Sequence, residues 1–316
     1  MHVFPLFGNM YNNILVTGGT SMVGKHLKVY LPTAHYLSSK ECDLRDLRAV
    51  NKLFEKNKYN AVIHLAAKVG GIMDNINNPV QFFEDNIYIN TNVLKSAYTH
   101  GASRFLGVLS TCIYPDQLAD KDYPMLESRL HDGAPTLTNF SYGYAKRCLG
   151  VQVDTYNKQY NTKYNYLIPC NLYSEWDHFT GDKSHYVSSL IHKIALAKKQ
   201  GKDSITLFGT GKPLRQFMYA KDFAQIIFRT VTGDITNNFN VAPDETYSIK
   251  DIAEIALRAC NATDLTINWD STKPDGQYRK DVSNTEFKKY FPTFEYTSLE
   301  SGIRSTYNKY YNELES

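Results

Sequence analysis

The stretch that decides the fold is Ile14-Leu15-Val16-Thr17-Gly18-Gly19-Thr20-Ser21-Met22-Val23-Gly24. Its first residues are a short apolar run and read as a buried strand. Two glycines break the run, and a helical pattern then extends from Met22 towards Leu31. Strand, tight turn and helix in this order open a dinucleotide-binding unit, because the helix amino terminus attracts a phosphate. Gly18 and Gly24 bracket the turn, and Ser21 stands at the middle position of the Gly-x-x-Gly-x-x-Gly form. Serine is small and can donate a hydrogen bond, so a phosphate can still approach. A degenerate glycine pattern also fits a turn that needs glycine for steric reasons alone. Its place between a strand and a helix favours binding.

The chain around this unit keeps alternating. His35–Leu37, Ala61–Leu65, Phe105–Leu109 and Tyr164–Ile168 read as strands. Helices are expected from a cap at Asp46 to about Lys56, through most of Pro79–His100, and from Tyr142 to about Gln159. This order predicts an α/β fold with a Rossmann-type doubly wound parallel sheet. After Pro169 the regularity fades into a loop, a helix near Tyr186–Lys199 and a strand near Ile205–Phe208. A helix at Ser248–Cys260, a strand near Leu265–Asn268 and a terminal helix follow. Asp222 reads as a helix cap. The expected division is a Rossmann domain over 10–172 plus about 216–244, and a smaller α/β substrate-binding lobe over 173–215 plus about 245–316. Residues 1–9 read as an extension before the first strand.

Bulk properties narrow the function. The 316 residues are 42% hydrophobic and 21% charged, with a net charge of +3, too small a balance to argue for nucleic acid. Five cysteines, Cys42, Cys112, Cys148, Cys170 and Cys260, have spacings of neither a zinc site nor a disulfide framework, which fits a reduced, cytoplasmic setting. No metal is expected. No apolar run approaches the roughly 20 residues of a membrane span.

The end of the second strand selects the cofactor. Ser38-Ser39-Lys40 offers two hydroxyls and a cation, where readers of NAD place a carboxylate for the ribose hydroxyls. The segment therefore favours the 2′-phosphate of NADP; a solvated loop is the plainer reading. Asp43 faces the adenine or shapes the turn. Tyr142-Gly-Tyr-Ala-Lys146 places a phenol and an ammonium four positions apart on one helix face. A nearby ammonium lowers a tyrosine pKa, as proton transfer near neutrality requires. The spacing alone is weak in a chain with 24 tyrosines. Ser110, at the end of the fourth strand, adds a hydroxyl where a carbonyl would bind.

Together, Leu109-Ser-Thr-Cys-Ile-Tyr-Pro115, Tyr142-x-x-x-Lys146 and His64-Leu-Ala-Ala-Lys-Val-Gly-Gly71 resemble the GDP-L-fucose synthases. These are bifunctional GDP-4-keto-6-deoxymannose 3,5-epimerase-4-reductases among the extended short-chain dehydrogenase/reductases. The likeness continues through Ile168-Pro-Cys-Asn-Leu-Tyr173, Ser184-His185, Phe208-Gly-Thr-Gly-Lys-Pro-Leu-Arg-Gln-Phe217 and Lys273-Pro-Asp-Gly276. It implies that Cys112 is the base and His185 the acid of epimerisation. It also implies that Ser110, Tyr142 and Lys146 serve the reduction. NADP(H) contacts are implied for Gly18, Thr20, Ser21, Met22, Val23, Gly24, Ser38, Ser39, Lys40, Asp43, Leu65, Ala66, Ala67, Tyr142, Lys146, Pro169, Asn171, Leu172 and His185. The GDP-sugar is implied to meet Asn171, Lys193, Phe208, Arg215, Arg279 and Lys280, and the assembly to be a homodimer.

Departures fall at Ser21, at Ser174-Glu175 in place of Gly-Pro, at His178 in place of asparagine and at Ser188 in place of proline. Most lie in the loop around His185. They leave open a reductase for another GDP-4-keto-6-deoxy sugar, such as a heptose, with partial or no epimerisation. A non-catalytic NADP-binding protein is a further alternative, although it would need none of the acid and base groups.

Overall fold

The computed structural model describes residues 11–181, 184–273 and 275–315. The expected extension, the expected domain start at Met10 and Pro274 of the Lys273–Gly276 motif lie outside the described residues.

In chain order the first half holds β1 (Ile14–Thr17), α1 (Met22–Tyr30), β2 (His35–Leu37), α2 (Leu47–Asn57), β3 (Ala61–His64), α3 (Ile72–Asn77), α4 (Pro79–Thr99), β4 (Arg104–Val108), α5 (Phe140–Tyr160) and β5 (Asn165–Pro169). The second half holds β6 (Asn171–Tyr173), α6 (Tyr186–Lys199), β7 (Ser204–Phe208), β8 (Leu214–Arg215), β9 (Phe217–Tyr219), α7 (Ala220–Thr232), β10 (Phe239–Val241), β11 (Tyr247–Ser248), α8 (Ile249–Ala259), β12 (Thr266–Asp270), α9 (Thr285–Tyr290) and α10 (Leu299–Glu315).

Six parallel strands form the central sheet in the order β2-β1-β3-β4-β5-β10. The chain leaves β1 towards β2 and returns on the other side at β3, so the crevice at their carboxyl ends is the switch point where such sheets bind nucleotides. The loops after β1 and β3 meet there. Gly18 has φ +67°, and a Cβ on it would lie 2.8 Å from the Ala66 nitrogen. A side chain at Gly19 would lie 2.6 Å from the Tyr36 carbonyl carbon on β2.

Caps explain the helix starts. Ser21 accepts a hydrogen bond from Gly24 N at 3.2 Å, so the residue that departs from glycine caps α1. Asp46 caps α2, and Ser248 with Asp251 forms a capping box on α8. Asp222 does not cap its own helix. It lies in the first turn of α7 and accepts from Thr297 N and Oγ1 at 2.7 and 2.8 Å, tying down the approach to α10.

The buried apolar side chains fall into two clusters, one around the large sheet and one among α6, α8, α10, β7 and their neighbours. Val282, Phe287 and Phe291 belong to the first cluster. The segment around α9, placed with the second lobe by its sequence position, therefore packs on the sheet. β10, only three residues long, carries no clear strand pattern yet completes the sheet, and α7 covers α1. A buried polar chain crosses the first core. Thr17 Oγ1 lies 2.8 Å from His64 Nδ1, His64 Nε2 lies 3.1 Å from Asn90 Oδ1, and Asn90 donates to Ala145 O. Burial, with the nearby Lys146 charge, pushes His64 down to about 3, so it is a neutral strut between β1, β3, α4 and α5.

Candidate active site

The turn after β4 aims Cys112 into the crevice. Ser110 begins a 3-10 turn over Thr111–Ile113 and accepts from Cys112 N at 3.3 Å. Thr111 and Ile113 are buried and anchor the turn, while Cys112 stays partly exposed between them. A Cβ on Gly143 would lie 2.6 Å from the Cys112 carbonyl oxygen, so the glycine inside Tyr142-Gly-Tyr lets α5 press against this turn. That contact puts Tyr142 beside Cys112.

The Cys112 sulfur receives two donors, Lys280 Nζ at 3.0 Å and Asn139 Nδ2 at 3.4 Å. Burial alone would raise the thiol pKa. The Lys280 charge and hydrogen bond, with Ser110 and the Arg215 charge, outweigh burial and lower it. A thiol so placed is poised as a base. Lys280→Met is therefore expected to shift the pH midpoint of iodoacetamide alkylation at Cys112, measured without substrate, upward by about one unit or more. Less thiolate would then be present at pH 7. An unmoved midpoint would show that Lys280 does not act on the thiol.

Tyr142 and Lys146 share a face of α5 as expected, but their electrostatics differ from the sequence reading. Lys146 is buried and donates to Val108 O at 2.8 Å, not to the phenol. Burial pushes its pKa down to about 8. Tyr142 is raised, not lowered, first by burial and then by the neighbouring Cys112 charge. The phenol is thus the form present near neutrality, which is the form a proton donor needs.

His185 ends the loop before α6. Its Nδ1 lies 3.0 and 3.1 Å from the two oxygens of Asp177, a carboxylate that the spacing of the sequence did not single out. Burial lowers the imidazole pKa, but the Asp177 hydrogen bond and charge, aided by Cys112, raise it overall. A thiol pushed down and an imidazole pushed up thus share one crevice, a pairing suited to base and acid chemistry.

The cations expected around a diphosphate are differently employed. Lys280 sits on the thiol. Arg279 is paired with Asp281 through bonds of 2.6 and 3.0 Å and lies over Tyr123. Lys193 donates to Thr206 O, with its ammonium 5.0 Å from the centre of the exposed Phe208 ring. Arg215 is held by the carbonyls of Leu214, Gln277 and Tyr278. Asn171 donates to Gln216 O at 2.9 Å. Lys193 of α6 and Phe208 of β7 thus come together, while Arg215 of β8 stands against the 277–278 segment. Arg279 is already neutralised, because its carboxylate neighbour is only two residues away.

At the end of β2 the sequence reading omitted Glu41. It accepts from Ser38 N and Oγ, both at 2.8 Å, so a carboxylate occupies the hydroxyl meant for a 2′-phosphate. Asp43 is bound by Arg45 at 2.9 and 2.8 Å, a competing use of the carboxylate expected near the adenine. Glu41→Gln is expected to strengthen NADPH over NADH by about tenfold, since one charge beside the phosphate disappears. Fluorescence titration with both nucleotides checks this, and an unchanged ratio would contradict it.

The model of the NAD dependent epimerase/dehydratase family matches residues 14–242, from β1 through β10. The chain belongs to this family. Within the epimerase/dehydratase family it is 36% identical to a GDP-L-fucose synthase of Dictyostelium discoideum, covering 93% of each chain. It is 33% identical to a GDP-L-colitose synthase of Yersinia pseudotuberculosis, covering 95% of this chain and 98% of that one. A crystal structure of a GDP-L-fucose synthetase from Naegleria fowleri bound to NADP superposes with a TM-score of 0.87 at 35% identity, covering 96% of this chain and 94% of that one. The likeness to this branch of the epimerase/dehydratase family therefore spans both lobes.

Proposed function

We propose that the chain is an NADPH-dependent 3,5-epimerase and 4-reductase that converts GDP-4-keto-6-deoxy-D-mannose to GDP-L-fucose. The observation that carries this reading is the meeting of Cys112, held by Lys280, with His185, held by Asp177, beside Tyr142 and Ser110. A reductase alone needs neither Cys112 nor His185.

NADP(H) fits the crevice. Gly18 and Gly19 let the turn after β1 pack directly on Ala66 and Tyr36, where any Cβ would collide, and this sets the capped amino terminus of α1 at the switch point for a pyrophosphate. On this reading Thr20, Ser21, Met22, Val23, Gly24 and Leu65–Ala67 meet the cofactor, and Lys146 binds the nicotinamide ribose. When bound, the cofactor supplies the hydride for C4. The rest is done by side chains. A C4 ketone acidifies the hydrogens at C3 and C5. Cys112 thiolate takes each proton while Ser110 and Tyr142 hold the enolate oxygen, and His185 imidazolium returns a proton on the opposite face; between the two rounds the thiol gives its proton to water and the imidazole regains one from it. In the reduction Tyr142 gives its proton to the C4 oxygen. Arg215 and Lys193 bind the diphosphate, and Phe208 offers a face to the guanine.

The relatives include enzymes named for more than one sugar product, and His178 and Ser188 bond the same Asp177 as His185, whereas Ser174 and Glu175 turn to His26 and Tyr219. A reductase for a different GDP-4-keto-6-deoxy sugar is the second reading. Supplying GDP-4-keto-6-deoxymannose with NADPH separates them. Loss of NADPH absorbance with GDP-L-fucose as product supports the first. A 4-reduced but unepimerised sugar supports the second, and tight NADP binding with no turnover supports a binding protein.

This reading includes a homodimer through α4 and α5, which expose Phe83, Tyr88, Val151 and Tyr160. It also places the protein in the cytoplasm, in keeping with five unpaired cysteines. Among the described residues no helix is long and apolar enough to cross a membrane.

A further inference from the structure

Asp177 lies in the loop between β6 and α6, and its side chain is 1% exposed. Besides His185 Nδ1 it accepts from Ser188 Oγ at 2.6 Å and from His178 N at 2.8 Å. Ser188 is fully buried in the first turn of α6. Each Asp177 oxygen receives an N–H or O–H donor, so the carboxylate acts as acceptor and the imidazole presents Nδ1–H to it. Nε2 is then the atom that carries or lacks the exchangeable proton.

We infer that Asp177 is a positioning residue that fixes His185 with Nε2 as its working nitrogen, and that Ser188 moderates this grip by sharing the same carboxylate oxygen. The inference rests on His185 being the acid of the proposed epimerisation. Two features argue for a built device rather than a chance contact. Both oxygens of Asp177 are engaged, and the donors come from two different elements, the loop and α6. Ser188 is also one of the departures noted in the sequence, where proline could donate nothing.

Among the described residues, two ionisable groups act on His185. Asp177 faces it from its own loop, and Cys112 acts on it from the turn after β4. Behind Cys112 stand Lys280, Arg215 and the Tyr142 phenol. Ser188, from α6, is uncharged. Removing the Asp177 charge leaves burial as the main influence on the imidazole, so its titration must fall. Removing the Ser188 hydroxyl leaves more negative charge for the imidazole, so its titration must rise. Opposite shifts from two neighbours are not what a merely structural role would give.

The test is an NMR titration of ¹⁵N-histidine-labelled, ligand-free protein. Asp177→Asn is expected to lower the His185 midpoint by about one pH unit or more, and to weaken the preference for Nδ1–H. Ser188→Ala is expected to raise it by a few tenths. Deuterium incorporation at C3 and C5 of GDP-4-keto-6-deoxymannose should follow: in Asp177→Asn it falls about tenfold at pH 7 with little change in KM. An unmoved midpoint in a folded Asp177→Asn overturns the inference. If that variant does not fold, Ser188→Ala decides, and an unmoved or lowered midpoint overturns it. Midpoints that shift as stated, in a wild-type protein that never labels C3 or C5, support the relay and instead remove the epimerase reading.

Discussion

Replacing Cys112 by serine is expected to abolish deuterium incorporation at C3 and C5, with a loss of about 10²–10⁴-fold. The argument is one of acidity. Lys280 at 3.0 Å, Asn139 at 3.4 Å and the Arg215 charge all favour a negative sulfur. A serine hydroxyl in the same place receives the same donors but starts from a far higher pKa, so it cannot serve as a base near neutrality. The substitution is nearly isosteric and the turn is anchored by buried Thr111 and Ile113, so the fold should be unaffected. Labelling at the wild-type rate in Cys112→Ser would show that another group is the base.

Tyr142→Phe is the complementary experiment. Hydride transfer is expected to fall by about 10²–10⁴-fold, while exchange at C3 and C5 persists within about tenfold. The phenol is the acid of the reduction, whereas Ser110 still reaches the enolate oxygen during epimerisation. Because burial and the Cys112 charge raise the Tyr142 pKa, the donor stays protonated through neutral pH. The reduction should therefore show no falling limb from Tyr142 until alkaline pH. Stopped-flow NADPH oxidation beside NMR exchange rates measures both, and equal losses in the two steps would contradict the division of labour.

Much of this site is legible in the chain because it lies where periodicity stops abruptly. The glycine turn at 18–19, Ser110 at a strand end and Tyr142 at a helix start each sit on a boundary that hydrophobic patterning marks. The helix at Tyr186–Lys199 was read with the bounds it has in the structure, and Asp46 caps α2 as its position suggested. What stayed hidden depends on contacts between distant segments. Nothing local ties Lys280 to Cys112, since the ammonium reaches the sulfur from a segment far along the chain. Asp177 stands in a loop with no period, where any carboxylate looks solvated. Glu41 carries no signal of its own, since the adjacent Ser38-Ser39-Lys40 reads as a phosphate-binding segment. Lys146 was expected to act on Tyr142 because helical spacing brings them together, but spacing does not tell that a buried ammonium will turn to the Val108 carbonyl.

Two proton-transfer groups working beside a reductase pair leave a mark on the product that one measurement reads directly. GDP-4-keto-6-deoxymannose and NADPH are incubated with the protein in D₂O, and the product is examined by NMR. The account predicts GDP-L-fucose carrying deuterium at both C3 and C5 together with consumption of NADPH. A reduced sugar with hydrogen retained at both positions would contradict it.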